Sequence, residues 1–126
     1  MNYSIIFKDS SKPLKERQLA FLNDCITHYT SENRGIKVGT KNICSYSGGC
    51  QIGRYLPKKL CKQLDKESVT VSYIIYELPN WMQKLGGSFL EATQDLHDSK
   101  NNWDKKGLTE RGKDKVKIIK ENFDLF

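Results

Sequence analysis

The fold is predicted to be organised around residues 44–56, which read Cys-Ser-Tyr-Ser-Gly-Gly-Cys-Gln-Ile-Gly-Arg-Tyr-Leu. The glycine pair at 48–49 lies between two short runs that lean apolar, 43–46 and 50–52. Two adjacent glycines tolerate the positive φ angles that a tight hairpin turn of the primed type requires. The segment therefore predicts a small β-hairpin whose two arms carry Cys44 and Cys50.

Helices are predicted on both sides of this hairpin. An apolar spacing of three and four residues indicates an amphipathic helix from Ser11–Pro13 to about Thr30, with a face formed by Leu19, Leu22, Ile26 and Tyr29. Pro57 suits the first turn of a short helix that runs to Asp65. The outer side of that helix carries lysines at intervals of four residues, namely Lys58, Lys62 and Lys66.

The second half of the chain reads as three further helices. Pro79 starts or kinks the first of them, which ends at Gly86-Gly87. Ser88 and Glu91 have the spacing of a capping box, which predicts a helix from Ser88 to about Asp98. Thr109 caps the last helix, and its buried stripe is predicted to be Val116, Ile119 and Phe123.

Three segments are less regular. Tyr3–Phe7 is a short β-prone run and is predicted as an edge strand. The run Val69–Tyr76 fits either a strand or the start of a helix, and its periodicity does not decide between them. Trp103 is predicted in a loop that folds back on the core. Together these elements predict an α+β fold: residues 1–126 form a single, mostly helical globular domain, with four to five helices around a short β-hairpin or a three-stranded antiparallel sheet.

Composition limits the classes of function. Aromatic residues make up 10% of the chain, which argues against disorder although the mean hydropathy is −0.64. No apolar run approaches the ~18 residues of a membrane span, and no signal peptide is visible, so a cytoplasmic protein is predicted. Its cysteines are predicted to be reduced, while a disulfide between Cys44 and Cys50 stays open. The net charge is +6, but lysines outnumber arginines seventeen to four, which favours a solvated surface over a dedicated nucleic-acid reader.

Two short motifs carry a resemblance. The first is Cys-x5-Cys-x-Ile-Gly-Arg at 44–54, and the second is Leu-x-x-x-Gln-x-x-His-Asp at 90–98, followed by Trp103. Over residues 40–105 the chain resembles small uncharacterised proteins encoded by bacteria and their phages. That resemblance implies an architecture with both motifs in one domain. It implies no agreed chemistry.

Metal and catalytic sites are each incomplete in the sequence. The weak candidates for metal ligands are Cys44, Cys50 and His97, but there is no Cys-x2–4-Cys pair of the kind that structural zinc sites usually show. No cofactor is therefore predicted, with zinc as the alternative. The pair His97-Asp98 is similar to that of metal-dependent phosphohydrolases, yet a histidine at a helix end also binds carbonyl groups at the helix terminus.

The absence of a complete catalytic set favours a binding function over an enzyme. We predict a small cytoplasmic accessory protein of a bacterium or phage that binds a protein partner or a small anionic ligand. Its binding face is predicted to consist of Arg54, Lys58, Lys62, His97, Asp98 and Trp103. Two alternatives stay open: a metal- or cysteine-dependent hydrolase that uses His97-Asp98, and a nucleic-acid-binding protein that uses its lysine-rich helices.

Overall fold

Six α-helices and one β-hairpin make up the regular structure of the described residues. The computed structural model describes residues 2–32, 50–67 and 74–126. Its helices are α1 (Ser4–Phe7), α2 (Leu14–His28), α3 (Lys58–Glu67), α4 (Asn80–Gln83), α5 (Gly87–Asp98) and α6 (Glu110–Asn122). Strands β1 (Trp103–Asp104) and β2 (Gly107–Leu108) pair antiparallel, and 3-10 turns occupy Gly53–Tyr55, Ile75–Glu77 and Lys100–Asn102. The predicted small α+β fold, mostly helical with an antiparallel hairpin, is confirmed.

The long helices form where the apolar spacing predicted them. Leu22 in α2 and Tyr29 directly after it are buried, and in α3 Cys61 and Leu64 are buried. The predicted cap of α6 is confirmed, because the Thr109 hydroxyl oxygen accepts a hydrogen bond from the Gly112 backbone N–H at 3.1 Å. The outer faces are polar as expected, with Lys58, Lys62 and Lys66 all exposed.

The predicted edge strand at Tyr3–Phe7 is wrong, since Ser4–Phe7 is the helical turn α1. The Asn2 side-chain oxygen accepts hydrogen bonds from both the backbone N–H and the hydroxyl of Ser4. The Phe7 N–H then donates to the Tyr3 carbonyl at 3.1 Å. This local capping outweighs the β preference of the side chains, which is weak in so short a run.

The hairpin lies elsewhere than predicted. Its expected second arm, 50–52, is wrong as a strand, because the Arg54 N–H donates to the Cys50 carbonyl at 2.9 Å and the chain enters a helical turn. The expected first arm, including Cys44, lies outside the described residues. The hairpin that the structure describes begins at Trp103, which is therefore in a strand and not in a loop, although it does fold back on the core and is buried.

Helix α5 begins differently from the predicted capping box. Gly86 precedes the helix with a φ of +97°, a conformation that favours glycine, and no side chain caps the helix. Ser88 is thus already inside the helix, and the predicted box with Glu91 is wrong. Of the ambiguous run 69–76, residues 69–73 lie outside the described part, and the 3-10 turn Ile75–Glu77 begins two residues after them.

The buried hydrophobic side chains of the described residues form one core cluster. Helix α2 packs against α1 and α5, and α5 packs against α6. At one end of the cluster, the centre of the Phe7 ring lies 5.2 Å from the ring centres of Phe21 and Tyr55 and 5.3 Å from that of Trp81. Fully burying one such side chain contributes about 1.5–3 kcal/mol, so α1 is held chiefly by Phe7.

Helices α5 and α6 run in opposite directions. Phe89, near the start of α5, lies 5.3 Å from Phe123 at the end of α6. Beyond the other end of α5, the Asn102 carbonyl accepts a hydrogen bond from the backbone N–H of Thr109, which precedes α6, at 2.9 Å. Within the described ranges, no helix combines the length and the apolar character needed to cross a membrane.

Candidate functional site

The carboxylate of Asp24 on α2 collects three side chains from the turn that begins at Cys50. Arg54 Nη2 and the Tyr55 hydroxyl each donate to Asp24 Oδ2 at 2.5 Å, and Gln51 Nε2 donates at 3.0 Å. Gln51 also donates to the Phe21 carbonyl at 3.2 Å. The turn is therefore fastened to α2 by a polar cluster that we call the Asp24 cluster, formed by Asp24, Gln51, Arg54 and Tyr55.

Arg54, a predicted ligand-binding residue, is largely withdrawn from solvent in this cluster. Its side chain is 17% exposed, and its guanidinium carbon lies 5.6 Å from the centre of the Tyr29 ring and 5.0 Å from that of Tyr55. Cation–π contacts of this kind become stronger when the cation is desolvated. Because Asp24 already neutralises its charge, Arg54 is better suited to holding the turn in place than to attracting an anion.

The Tyr55 phenol has an altered acidity. Burial and its hydrogen bond to Asp24 raise the pKa of Tyr55 to about 12. Since an unfolded tyrosine titrates near pH ~10, the folded state retains this proton at a higher pH than the unfolded state does. The resulting stability is fully present below pH ~10 and is lost as the pH rises towards 12.

We expect Tyr55→Phe to flatten the pH dependence of stability in this alkaline range. Urea unfolding at pH 9 and at steps up to 11.5 should show a free energy of unfolding that falls more steeply for the wild type than for Tyr55→Phe. The variant also loses the hydrogen bond to Asp24, so the comparison concerns the slope and not the absolute stability. Equal slopes for the two proteins would contradict the assignment.

The predicted residues His97, Asp98 and Trp103 come together in the interior. His97 Nδ1 lies 2.7 Å from Asp98 Oδ1, and the His97 side chain is fully buried. The centre of the Tyr29 ring lies 4.7 Å from that of the His97 ring and 6.1 Å from that of the Trp103 ring. Since Arg54 packs on the same tyrosine, Tyr29 joins both sequence motifs, but it does so inside the fold.

Trp103 has a clear structural role. Its indole Nε1–H donates to the carbonyls of Leu96 at 3.0 Å and His97 at 3.1 Å. These carbonyls lie in the last turn of α5. The indole therefore satisfies backbone groups that the helix leaves unpaired at its end.

The predicted binding face is divided by the fold. His97, Asp98 and Trp103 are buried, Arg54 is paired, and only Lys58 and Lys62 project freely from α3. A ligand at the surface would meet the two lysines first. Ligand binding by the six residues together stays a prediction.

The structure describes three of the four cysteines. Cys25 and Cys61 are free thiols, and burial raises the pKa of each, which makes them poor nucleophiles. The Cys50 sulfur is in a disulfide bond, so the general prediction of reduced cysteines is wrong for this residue, for which the sequence left a disulfide open. Cys44 lies outside the described residues.

In the parts of the chain that the structure describes, no three His, Cys, Asp or Glu side chains form a metal-binding group. The zinc, hydrolase and nucleic-acid alternatives stay predictions.

A groove between α5 and α6 offers a different site. Its volume is about 340 Å³, which lies within the range of small-molecule sites. One wall is polar and acidic and carries Asp95, Ser99 and Asn102, which follow one another along α5 and the turn after it. The other wall carries Arg111, Lys115 and Asn122 on α6. We call this the α5–α6 groove; its apolar surface consists of Ala92, Leu96, Ile118 and Ile119.

Asn102 lines the groove and carries a buried acceptor. Its side chain is 2% exposed, and its Nδ2 donates to the Leu96 carbonyl at 3.0 Å. That bond fixes the orientation of the amide, because the reverse orientation would place two oxygens together. Oδ1 is then a buried acceptor with no hydrogen-bond partner among the described residues. Leaving such a group unsatisfied costs about 1–3 kcal/mol, which a ligand with an N–H donor would recover.

A wider groove beside the hairpin lacks this property. It measures about 570 Å³, but its carboxylates are already engaged. Asp104 accepts from the Lys106 backbone N–H at 2.8 Å, and Lys113 pairs with Glu110 at 3.2 Å. The α5–α6 groove is therefore the better candidate for a ligand.

The sequence held a signal for this groove that the motif search did not use. Starting at Arg111, one stripe of α6 has intervals of four, three, one and three residues. Such intervals place side chains on one face of a helix, here Arg111, Lys115, Ile118, Ile119 and Asn122. Asn102 gave no comparable signal, because its burial depends on how the hairpin turns back.

Comparison with known proteins adds no functional lead. No family model matches the chain, and no curated protein or solved structure matches it significantly. The resemblance to small bacterial and phage proteins remains an expectation from two motifs.

Proposed function

We propose that this protein binds a small anionic ligand without catalysing a reaction, and that the ligand occupies the α5–α6 groove. The single observation that carries the proposal is the combination of two free cations with a buried, unsatisfied acceptor in one cavity, within the described residues. The side chains of Arg111 and Lys115 are exposed at this groove, and Asn102, which also lines it, has a buried Oδ1 without a partner.

Charge and shape support a small anion over a large partner. The groove residues include two cations, Arg111 and Lys115, and one carboxylate, Asp95, so that the lining carries a net positive charge. Arginine suits carboxylate or phosphate groups because its planar guanidinium binds two oxygens at once. A cavity of about 340 Å³ has the volume of a small-molecule site and is far too small for a folded domain.

The proposal keeps the wider setting that the sequence predicts. An accessory role in the cytoplasm of a bacterium or phage-infected cell is consistent with a ligand sensor or carrier. A protein partner that recognises the loaded groove would fit the same setting.

Titration with hexanoate and with inorganic phosphate tests the proposal. In amide ¹H–¹⁵N NMR spectra of the isotope-labelled chain, we expect hexanoate to cause saturable shifts that concentrate on residues 95–102 and 111–122. Arg111→Ala and Lys115→Ala should each weaken binding about two- to fivefold, and the double variant about tenfold, because each removes one exposed charge.

The matched control is Lys117→Ala, which removes an exposed lysine from the same helix outside the groove. Its affinity should equal that of the wild type. If neither anion shifts the groove residues, or if Lys117→Ala weakens binding as much as Lys115→Ala, the proposed site is wrong.

A further inference from the structure

We infer that the ligand of the α5–α6 groove is an amino carboxylate with an apolar chain: a molecule that carries an N–H donor next to its carboxylate. This inference rests on the proposed function and narrows its ligand class. It follows from the difference between the two groove walls, since one carries cations and the other carries a carboxylate and a buried acceptor. A simple anion would interact only with the cationic wall.

The requirement for a donor comes from Asn102. Its amide nitrogen is committed to the Leu96 carbonyl, which also accepts from Trp103 Nε1, so the Asn102 side chain cannot turn over without losing a bond. Oδ1 therefore presents a fixed lone pair, and in the described part of the chain no group donates to it. A carboxylate or phosphate without an N–H or O–H group cannot satisfy it, whereas an ammonium or amide N–H can.

The preference for an ammonium group over a neutral amide comes from Asp95. This carboxylate lies on the same wall as Asn102, one helical turn before Ser99. Partial burial and the charges of Glu91 and Asp98 raise its pKa, while Lys115 opposes that effect. A ligand ammonium near this wall would relieve the repulsion between these carboxylates, as a nearby opposite charge favours the ionised form.

The apolar chain is accommodated between the walls. Leu96 and Ile119 are buried at the base of the groove, and Ile118 is 46% exposed beside it. A linear aliphatic chain of about four carbons would cover Ile118 and remove apolar surface from water. The carboxylate would then point to Arg111 and Lys115 and the amino group to Asp95 and Asn102.

Three probes of equal chain length separate these contributions on the unmodified protein. Hexanoate has the carboxylate and the chain, N-acetyl-L-norleucine adds a neutral N–H, and L-norleucine adds an ammonium group. By NMR titration we expect the affinity to rise in that order. The difference between norleucine and hexanoate should be about tenfold, since one charge-assisted hydrogen bond is worth somewhat more than one neutral bond.

Asp95→Asn provides the matched variant, since Asp95 is exposed and its replacement should leave the fold intact. It should lower the affinity for norleucine about threefold or more and leave hexanoate binding unchanged or slightly tighter. Asn102→Ala should reduce the preference for both N–H probes over hexanoate. Because Asn102 is buried, its result counts only where NMR shows the native fold.

The possible results are distinct. If norleucine binds more tightly than hexanoate and Asp95→Asn narrows that gap, the inference is supported. If hexanoate binds in the groove as tightly as norleucine, the amino-carboxylate inference is overturned while the proposed function stands. If none of the three probes shifts the groove residues, both are overturned.

Discussion

Replacing Asp24 with alanine is expected to lower the free energy of unfolding by about 3 kcal/mol. The substitution removes the acceptor that Arg54, Tyr55 and Gln51 share, and it leaves the guanidinium without its counter-ion in a site where the Arg54 side chain is 17% exposed. Removing one partner of a buried ion pair is costly because the remaining charge stays desolvated. Urea unfolding followed by circular dichroism measures the effect.

Two companion variants sharpen this experiment. Arg54→Met in the Asp24→Ala background removes the orphaned charge, so the double variant should be more stable than Asp24→Ala alone by about 1–2 kcal/mol. Glu16→Ala removes an exposed carboxylate from the same helix and should cost less than about 1 kcal/mol. Arg54→Met alone completes the cycle. If the double variant loses as much stability as Asp24→Ala and Arg54→Met lose together, the ion pair does not couple the turn to α2.

Gly112→Ala is expected to destabilise the fold by about 2 kcal/mol, although alanine is the better helix former. A Cβ at this position would overlap the Asn102 carbonyl oxygen and come within 2.7 Å of Leu108 Cδ2. The oxygen belongs to the backbone and accepts from the Thr109 N–H, so it cannot move without disturbing the start of α6. Overpacking of this kind costs ~1–3 kcal/mol or more, which exceeds the gain of ~1 kcal/mol in helix propensity.

The same substitution at Gly87 serves as the control. Its added Cβ would lie 3.9 Å from Ile75 Cδ1, which is an ordinary contact, and the residue begins α5. Gly87→Ala should therefore be neutral or stabilising by up to ~1 kcal/mol. If thermal unfolding showed equal losses for both variants, the close approach of α6 to Asn102 would not be the cause.

The sequence predicted best what depends on local periodicity. Helices α2, α3 and α6 were correctly placed because three- and four-residue apolar spacing and the Thr109 cap are local signals. The predicted strand at Tyr3–Phe7 is wrong because its β propensity is weak over so short a run. A local hydrogen bond from Ser4 to the Asn2 side chain favours a helical turn instead. The position of the hairpin failed because glycine pairs mark turns without specifying which strands they join.

The candidate site depended on tertiary contacts, which no local pattern reveals. Asp24 binds residues that follow it by some thirty positions, so its role was invisible before the turn was placed against α2. His97 and Trp103 stand out in the sequence as motif residues, but their burial around Tyr29 could not be read from two short motifs. The groove was missed because its two walls come from different helices and meet only in the folded chain.

The bonds that close the end of α5 also bear on which positions can drift in evolution. Asn102 and Trp103 both donate to the backbone oxygen of Leu96, and any amino acid supplies that oxygen. These two bonds thus place no demand on the identity of residue 96, while they demand an amide and an indole at 102 and 103. The dipeptide Asn102-Trp103 is accordingly a more discriminating signature for distant relatives than the apolar residues of the helix it closes.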